Sequence, residues 1–269
     1  KTEILTLRIA TIMHERQVYP SNILALTFTE AAAQEMKHRL AQVIGPSAYQ
    51  TSVFTFHGFC NWIIQNFSDY FPEYINATSL NAIEQIEIIK ELLTDGSYEH
   101  IIPFKKPDAY IKDIISAISD LKKEGVTPDR FYEAVAKQQS DFADIPDLVN
   151  EKGKYKGQMK TKYQQLEKRI ARNKELYDIF QNYQKELRNR ERYDFDDMLL
   201  EVIEKIRNHE LLLRELQERF QYILIDEHQD TNAAQNAIIV QLANYFNDPN
   251  LFVVGDEKQA IFRFQGASL

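Results

Sequence analysis

Two adjacent carboxylates, Asp226 and Glu227, stand directly after the apolar run Tyr222 to Ile225 in the stretch FQYILIDEHQDTNAAQ. The run is too short for a helix and rich in β-branched residues, so it predicts a buried strand of a parallel sheet. In open α/β sheets ligands bind beyond the carboxyl ends of the strands, and an Asp-Glu pair there suits a hard cation carrying phosphate oxygens. One carboxylate can hold Mg²⁺ through water while its neighbour orients an attacking water, the division of labour that nucleotide hydrolysis requires. A strand running into an acidic, helix-capping turn would carry the same two letters, so the pair takes its meaning from the rest of the chain.

Other residues with chemical use fall at the ends of other apolar runs. The chain opens on Lys1-Thr2, ahead of a helical stripe formed by Ile4, Leu5, Arg8, Ile9 and Ile12. A Lys-Thr pair on a first helical turn is the tail of a phosphate-binding GxxxxGK[ST] loop, whose lysine reaches the β/γ-phosphates and whose hydroxyl binds Mg²⁺. Ile23 to Phe28 predicts a second buried strand, ending in Thr27-Phe28-Thr29 before a helix over Glu30 to Val43. Hydroxyls at that junction suit a phosphate oxygen, and Thr29 equally suits an N-cap.

Ser52 to Phe56 predicts a third strand, running into His57-Gly58 and a helix from Phe59 to Phe67. His57 is placed either to touch a ligand or to serve as hydrogen-bonded structure, and Cys60 reads as buried packing. The last strand, Leu251 to Val254, ends in Gly255-Asp256, with Gln259 and the aromatic-basic stretch Ile261 to Gly266 beyond it. Four apolar strands, each followed by a polar cluster and mostly by a helix, predict a doubly wound α/β fold with a parallel sheet. Parallel strands share their carboxyl edge, so the four clusters fall on one edge, and with Lys1-Thr2 the candidates converge on one crevice.

Between about residues 76 and 192 the texture is purely helical. Apolar residues recur with a helical period in Ile83/Ile86/Ile89/Leu93, in Ile111/Ile114/Ile115/Ile118/Leu121 and in Leu166/Ile170/Tyr177/Phe180/Tyr183/Leu187. Gly125 is placed as a helix stop, and Thr127-Pro128 as the N-cap and first residue of the next helix. No strand is expected in that span. Tyr193-Asp194-Phe195-Asp196-Asp197 marks the return to the sheet, with acids on the first turn of a helix. The expected organisation is a sheet domain in two parts, 1–75 and 193–269, with a helical insertion over 76–192.

Composition sets limits. The 269 residues are 44% hydrophobic and 27% charged, with a net charge of −8 and one cysteine. The acidic balance argues against a protein that coats nucleic acid nonspecifically. The lone cysteine excludes an internal disulfide framework and a CxxC metal site. No run approaches the roughly 18 apolar residues of a membrane span, so no membrane partner is expected and a reducing, cytoplasmic setting is. One segment runs against the overall charge: Lys152 to Lys174 holds nine basic residues and a single acid, Glu167. It reads as a solvated loop or as a surface for phosphate.

The ordered motifs resemble those of the UvrD/Rep/PcrA group of superfamily 1 DNA helicases, which also includes the AddA and RecB motors. Helicase motif Ia, TLTFTNKAAxEM-like, stands as LALTFTEAAAQEM (Leu24 to Met36), and the TFHSF-like box as TFHGF (Thr55 to Phe59). The YDFxDL box is YDFDDML (Tyr193 to Leu199), the DEYQDTN box DEHQDTN (Asp226 to Asn232), and motif III GDEKQAIFRFQGA (Gly255 to Ala267). The resemblance implies the first RecA-like P-loop motor domain, with ATP and Mg²⁺ as cofactors. By match to its motifs it assigns Lys1 to the phosphates, Thr2 and Asp226 to Mg²⁺, Glu227 to the attacking water and Gln259 to sensing the γ-phosphate. Lys1, Glu227 and Gln259 are thus the expected catalytic residues. It places Thr27, Phe28, Thr29 and His57 on single-stranded DNA, and Phe262 and Phe264 as stacking platforms for bases, a sequence-tolerant contact.

The same resemblance implies 3′→5′ movement, work in repair, replication or recombination, and junctions of single- and double-stranded DNA as substrates. Nuclease or repair proteins are the partner classes, and the nucleoid is the setting in a bacterium. Gln265 departs from the arginine common at its position, His228 from an aromatic and Phe262 from tyrosine. The phosphate-cradling glycines are missing from the sequence, and no second RecA-like domain follows motif III, which reads the chain as a fragment. That domain supplies arginines to the γ-phosphate in the family, so this stretch alone is expected to hydrolyse ATP hardly at all. Two other readings are a catalytically silent DNA- or protein-binding platform of the same fold, and a Mg²⁺-dependent nuclease using Asp226, Glu227 and Asp230.

Overall fold

The computed structural model describes residues 2–102, 107–152, 154–245 and 247–256. In chain order the elements are α1 (Thr2–Arg16), β1 (Ile23–Thr27), α2 (Glu30–Ile44), β2 (Ser52–Thr55), α3 (Phe56–Asn66), β3 (Thr78–Ser79), α4 (Ala82–Asp95) and α5 (Ile111–Lys123). There follow α6 (Pro128–Ala143), α7 (Thr161–Asn189), β4 (Arg192–Tyr193), α8 (Phe195–Asn208), α9 (Glu210–Arg219), β5 (Tyr222–Ile225), α10 (Ala233–Ala243) and β6 (Leu251–Val253). The chain divides into a sheet unit, Lys1–Ala77 with Lys122–Gly125 and Asp194–Leu269, and a helical unit, Thr78–Leu121 with Val126–Tyr193.

The sheet unit is built on four parallel strands in the order β2-β1-β5-β6. All five residues of β1 are buried, as a strand covered on both faces must be. Ile23 and Ala25 point to one face, where they pack with Val53 and Leu224 against Leu5 and Ile9 of α1 and Met36 and Leu40 of α2. Leu24 and Leu26 alternate to the other face and are equally buried. The register aligns Thr27 with Thr55 and Leu26 with Ile225, while Ile225 aligns with Val253. The carboxyl ends of all four strands are therefore level, and whatever follows each strand shares one edge.

In the helical unit α4, α5, α6 and α7 close around Ile89, Leu93, Ile114, Ile118, Phe180 and Tyr183. The 29-residue α7 carries the whole stripe from Leu166 to Leu187. Thr127 caps α6 with Pro128 at its first position, and Gly125 takes φ +72°, as expected of a helix stop. No helix among the described residues is long and apolar enough to cross a membrane.

Several local expectations are corrected. Two strands do lie in the span expected to be helical: β3 and β4 form a two-residue parallel pair, with Leu80 N–H donating to Tyr193 O at 2.8 Å. A two-residue strand has no period to read. Helix α9 was not foreseen. The strands expected to run to Phe28, Phe56 and Val254 stop one residue earlier, at Thr27, Thr55 and Val253. Phe56, His57 and Gly58 form the first turn of α3, because Thr55 turns its hydroxyl onto Gly58 N–H as an N-cap. In the stripes, Ile4 of α1 is 57% exposed and Ile83 of α4 is 69% exposed, while Arg8 lies over the Phe252 ring at 5.7 Å.

Candidate functional site

The edge begins with the DEHQDTN turn, in which nearly every residue has a structural partner. Asp226 is buried; its N–H donates to Leu26 O at 2.9 Å and its Oδ1 accepts Glu227 N–H at 3.0 Å. Glu227 sits in the left-handed region at φ +49°, which costs a non-glycine residue on the order of 1 kcal/mol and is a conformation that clusters at functional sites. Beyond it, His228 N–H donates to Val254 O at 3.0 Å and Val254 N–H to Ile225 O at 2.9 Å, so β5 and β6 stay zipped past their ends.

Gln229, 3% exposed, donates from Nε2 to Glu227 Oε2 at 2.7 Å and accepts Asp256 N–H at 2.9 Å. Asn232 and Gln235 close a capping box at the start of α10. Asp230 ends a short 3-10 turn, and Asn232 is the N-cap of α10. The motif thus divides into the adjacent carboxylates of Asp226 and Glu227 and a scaffold that holds them.

The neighbouring strand ends carry hydroxyls and aromatic rings. Thr29 caps α2, accepting Ala32 N–H at 3.1 Å, which is the N-cap role expected for it. Thr55 accepts Gly58 N–H at 3.0 Å and donates to Glu30 Oε1 at 2.7 Å. Thr27 is fully buried, and its hydroxyl has no hydrogen-bond partner among the described residues.

His57 is half-buried, and its Nε2 likewise has none. Burial holds its imidazole below the usual histidine value, with Asp196 opposing and Lys123 assisting. A buried polar atom without a partner is costly and needs a reason, and a ligand is one. Edge-on to His57, at 6.0 Å and 88°, stands Phe195, which is 60% exposed. Sequence reasoning did not place Phe195 beside this edge; its signal was one aromatic between the carboxylates of YDFDD. Cys60 is fully buried, which pushes its thiol up and leaves it inert packing.

Thr27, Phe28, Thr29, His57, Asp226 and Glu227 therefore lie at the carboxyl edge of one sheet, and Thr2 opens α1. Lys1, Gln259, Phe262 and Phe264 lie outside the described residues. Mg²⁺ fits the groups present. It is bound in nucleotide sites by one or two carboxylates plus substrate phosphates rather than by an all-protein cage. Among the described residues the edge offers the Asp226 carboxylate and no cluster of three or more acidic, His or Cys ligands.

The model of the UvrD/REP helicase N-terminal domain matches residues 1–269. The ATP-dependent DNA helicase PcrA of Bacillus subtilis (strain 168) is 34% identical over 269 residues, 100% of this chain and 31% of that protein. PcrA proteins of Staphylococcus epidermidis and Staphylococcus aureus are similar at the same identity and coverage. The chain thus spans about a third of the length of the curated relatives it matches. On the match over its whole length, the chain belongs to the UvrD/REP helicase N-terminal domain family.

Proposed function

We propose that this chain is the N-terminal motor portion of an ATP-dependent DNA helicase or translocase that binds ATP and Mg²⁺ and moves 3′→5′ on single-stranded DNA. The observation that carries the reading is the Asp226–Glu227 pair at the carboxyl edge of the parallel sheet, with the Glu227 carboxylate tied by Gln229 to the backbone of Asp256 beyond β6. Asp226 would hold Mg²⁺, which when bound neutralises charge on the phosphate oxygens. Glu227, its backbone turned out at φ +49° and its carboxylate fixed by Gln229, would orient the attacking water. Lys1 and Thr2 would meet the phosphates and the metal, and Gln259 would relay the state of the γ-phosphate.

Single-stranded DNA would cross the neighbouring strand ends. Among the described residues His57 Nε2 and the Thr27 hydroxyl lack partners there, and Phe195 offers an exposed ring. Phe28 and Thr29 follow on the same edge, and Phe262 and Phe264, assigned by their motif alone, would add stacking platforms. Stacking on aromatic faces grips any base, which suits a motor indifferent to sequence. A second RecA-like domain would complete the phosphate site, and isolated residues 1–269 would turn over ATP at a small fraction of the whole protein's rate.

The test is strand displacement by the full-length protein on duplexes with a 3′ or a 5′ single-stranded tail. The reading predicts ATP-dependent displacement from the 3′ tail. Binding of both substrates with no displacement from either would turn it towards a DNA-binding platform of the same fold.

A further inference from the structure

Lys122 is the penultimate residue of α5, yet its side chain is 0% exposed. Lysines are almost never fully buried unless paired. Its Nζ lies 2.5 Å from Asp194 Oδ2 and 2.6 Å from Asp197 Oδ1. Burial works against the ammonium, but the two aspartates outweigh it and raise Lys122 above its ordinary value, so the charge stays.

The two carboxylates serve twice. Asp194 Oδ1 accepts Asp197 N–H at 3.0 Å and Asp197 Oδ2 accepts Asp194 N–H at 2.9 Å, which is the capping box that starts α8. The other oxygen of each carboxylate takes the lysine. Lys122 therefore offsets one of the two negative charges and clamps the turn that carries Phe195, and Phe195 is the ring set edge-on to His57.

The chain path gives this pairing its meaning. Helix α5 belongs to the helical unit up to Leu121, and the chain rejoins that unit at Val126. The four residues between, Lys122–Gly125, belong to the sheet unit, turned back by the Gly125 N–H to Lys122 O bond at 2.9 Å. The insertion thus lends a segment to the sheet unit, and the residue it buries there is a cation under the α8 cap.

We propose that Lys122 is a positioning residue for single-stranded DNA: it fixes the first turn of α8 and through it the angle of Phe195 against His57. The inference rests on the reading of that edge as a DNA site. A helical insertion that supplies such a clamp makes the grip on DNA depend on a side chain outside the sheet's own strands and helices.

The test uses the full-length protein and a fluorescent oligo-dT. Lys122→Met keeps length and apolar bulk without charge, and Lys122→Met/Asp197→Asn relieves the carboxylates left facing each other should the single variant fold poorly. Phe195→Ala is expected to weaken oligonucleotide binding about tenfold, the loss of one stacked base. Lys122→Met is expected to weaken it about five- to tenfold, with the Kd for nucleotide and the hydrolysis rate without DNA unchanged. The variant lacking both side chains is expected to be no weaker than Phe195→Ala alone, because one acts through the other.

Oligonucleotide affinity within twofold of wild type in the folded lysine variants would overturn the inference. So would additive losses in the double variant, or a parallel loss of nucleotide binding. Absence of binding by the wild type would overturn the proposed function and this inference with it.

Discussion

The Gln229 side-chain amide donates to the Glu227 carboxylate at 2.7 Å from a site that is itself almost fully buried. A carboxylate can only accept and the Asp256 N–H can only donate, so the amide's orientation is set by its two partners. Gln229→Leu frees the Glu227 side chain without altering its charge. The expected result is a fall in kcat on the order of 10²-fold, the cost of a misplaced group, with KM for ATP within a factor of about two. A raised KM with kcat intact would show that Gln229 serves binding instead.

Gly255 is held to glycine by the same amide. A Cβ there would lie 3.0 Å from Gln229 Oε1 and 3.3 Å from Gln229 N, with the side-chain amide held by the bond Oε1 accepts from Asp256 N–H and the bond Nε2 donates to Glu227. Gly255→Ala is expected to cost about 1–3 kcal/mol, the usual cost of overpacking, and to lower kcat through Gln229. Calorimetry gives the first and steady-state kinetics the second. An unshifted melting temperature would show that the turn yields freely.

Below the α8 cap, Glu201 is pushed up to about 7, first by burial and then by Glu73, against the opposing charge of Lys205. Its folded value lies above its ordinary 4.5, so its contribution to stability is fully present below pH 4.5 and is lost as pH rises through 7. Glu201→Gln keeps a hydrogen-bonding group towards Glu73 and removes the titration. The variant should melt with the wild type below pH 4.5 and be more stable above pH 7 by about 1 kcal/mol, a figure reduced for the partial exposure of the side chain. A gap that narrows as pH rises would contradict the assignment.

The sheet was legible because its strands are buried on both faces, and YILI and ILALT then stand out as unbroken apolar runs. The common edge followed from parallel pairing alone. What was not legible depends on neighbours distant in sequence. Lys122 at the end of an amphipathic helix reads as an ordinary solvated residue near the negative end of the helix dipole, and nothing local reveals two aspartates about seventy residues away. His57 was placed at a strand end because the apolar count of its helix starts at Phe59, whereas the Thr55 hydroxyl starts the helix three residues earlier. The left-handed turn at Glu227 has no glycine or asparagine to announce it.

The basic segment offers a separable test. Lys160 and Lys162 are paired with Asp147 at 3.2 and 2.7 Å, so the better probes are Lys156, Lys168, Arg169 and Lys174. If this face grips duplex DNA, alanine at all four should weaken duplex binding about tenfold or more at moderate salt. The slope of log K against log salt should shrink by about 0.9 for each phosphate that is no longer neutralised. Filter binding on duplex and single-stranded oligonucleotides across a salt series measures both. A change confined to the single strand would refute the duplex grip.

The central claim is that Asp226 and Glu227 serve a DNA-driven ATPase, and its most direct test is ATP hydrolysis by the full-length protein with and without single-stranded DNA, wild type beside Glu227→Gln. Glutamine preserves the size of the side chain and an acceptor for the Gln229 amide while removing the carboxylate. The account predicts hydrolysis strongly stimulated by DNA in the wild type, and reduced at least ~10²-fold in the variant with nucleotide and DNA still bound. Equal turnover by the two proteins, or a wild type that binds both ligands and hydrolyses nothing, would contradict it.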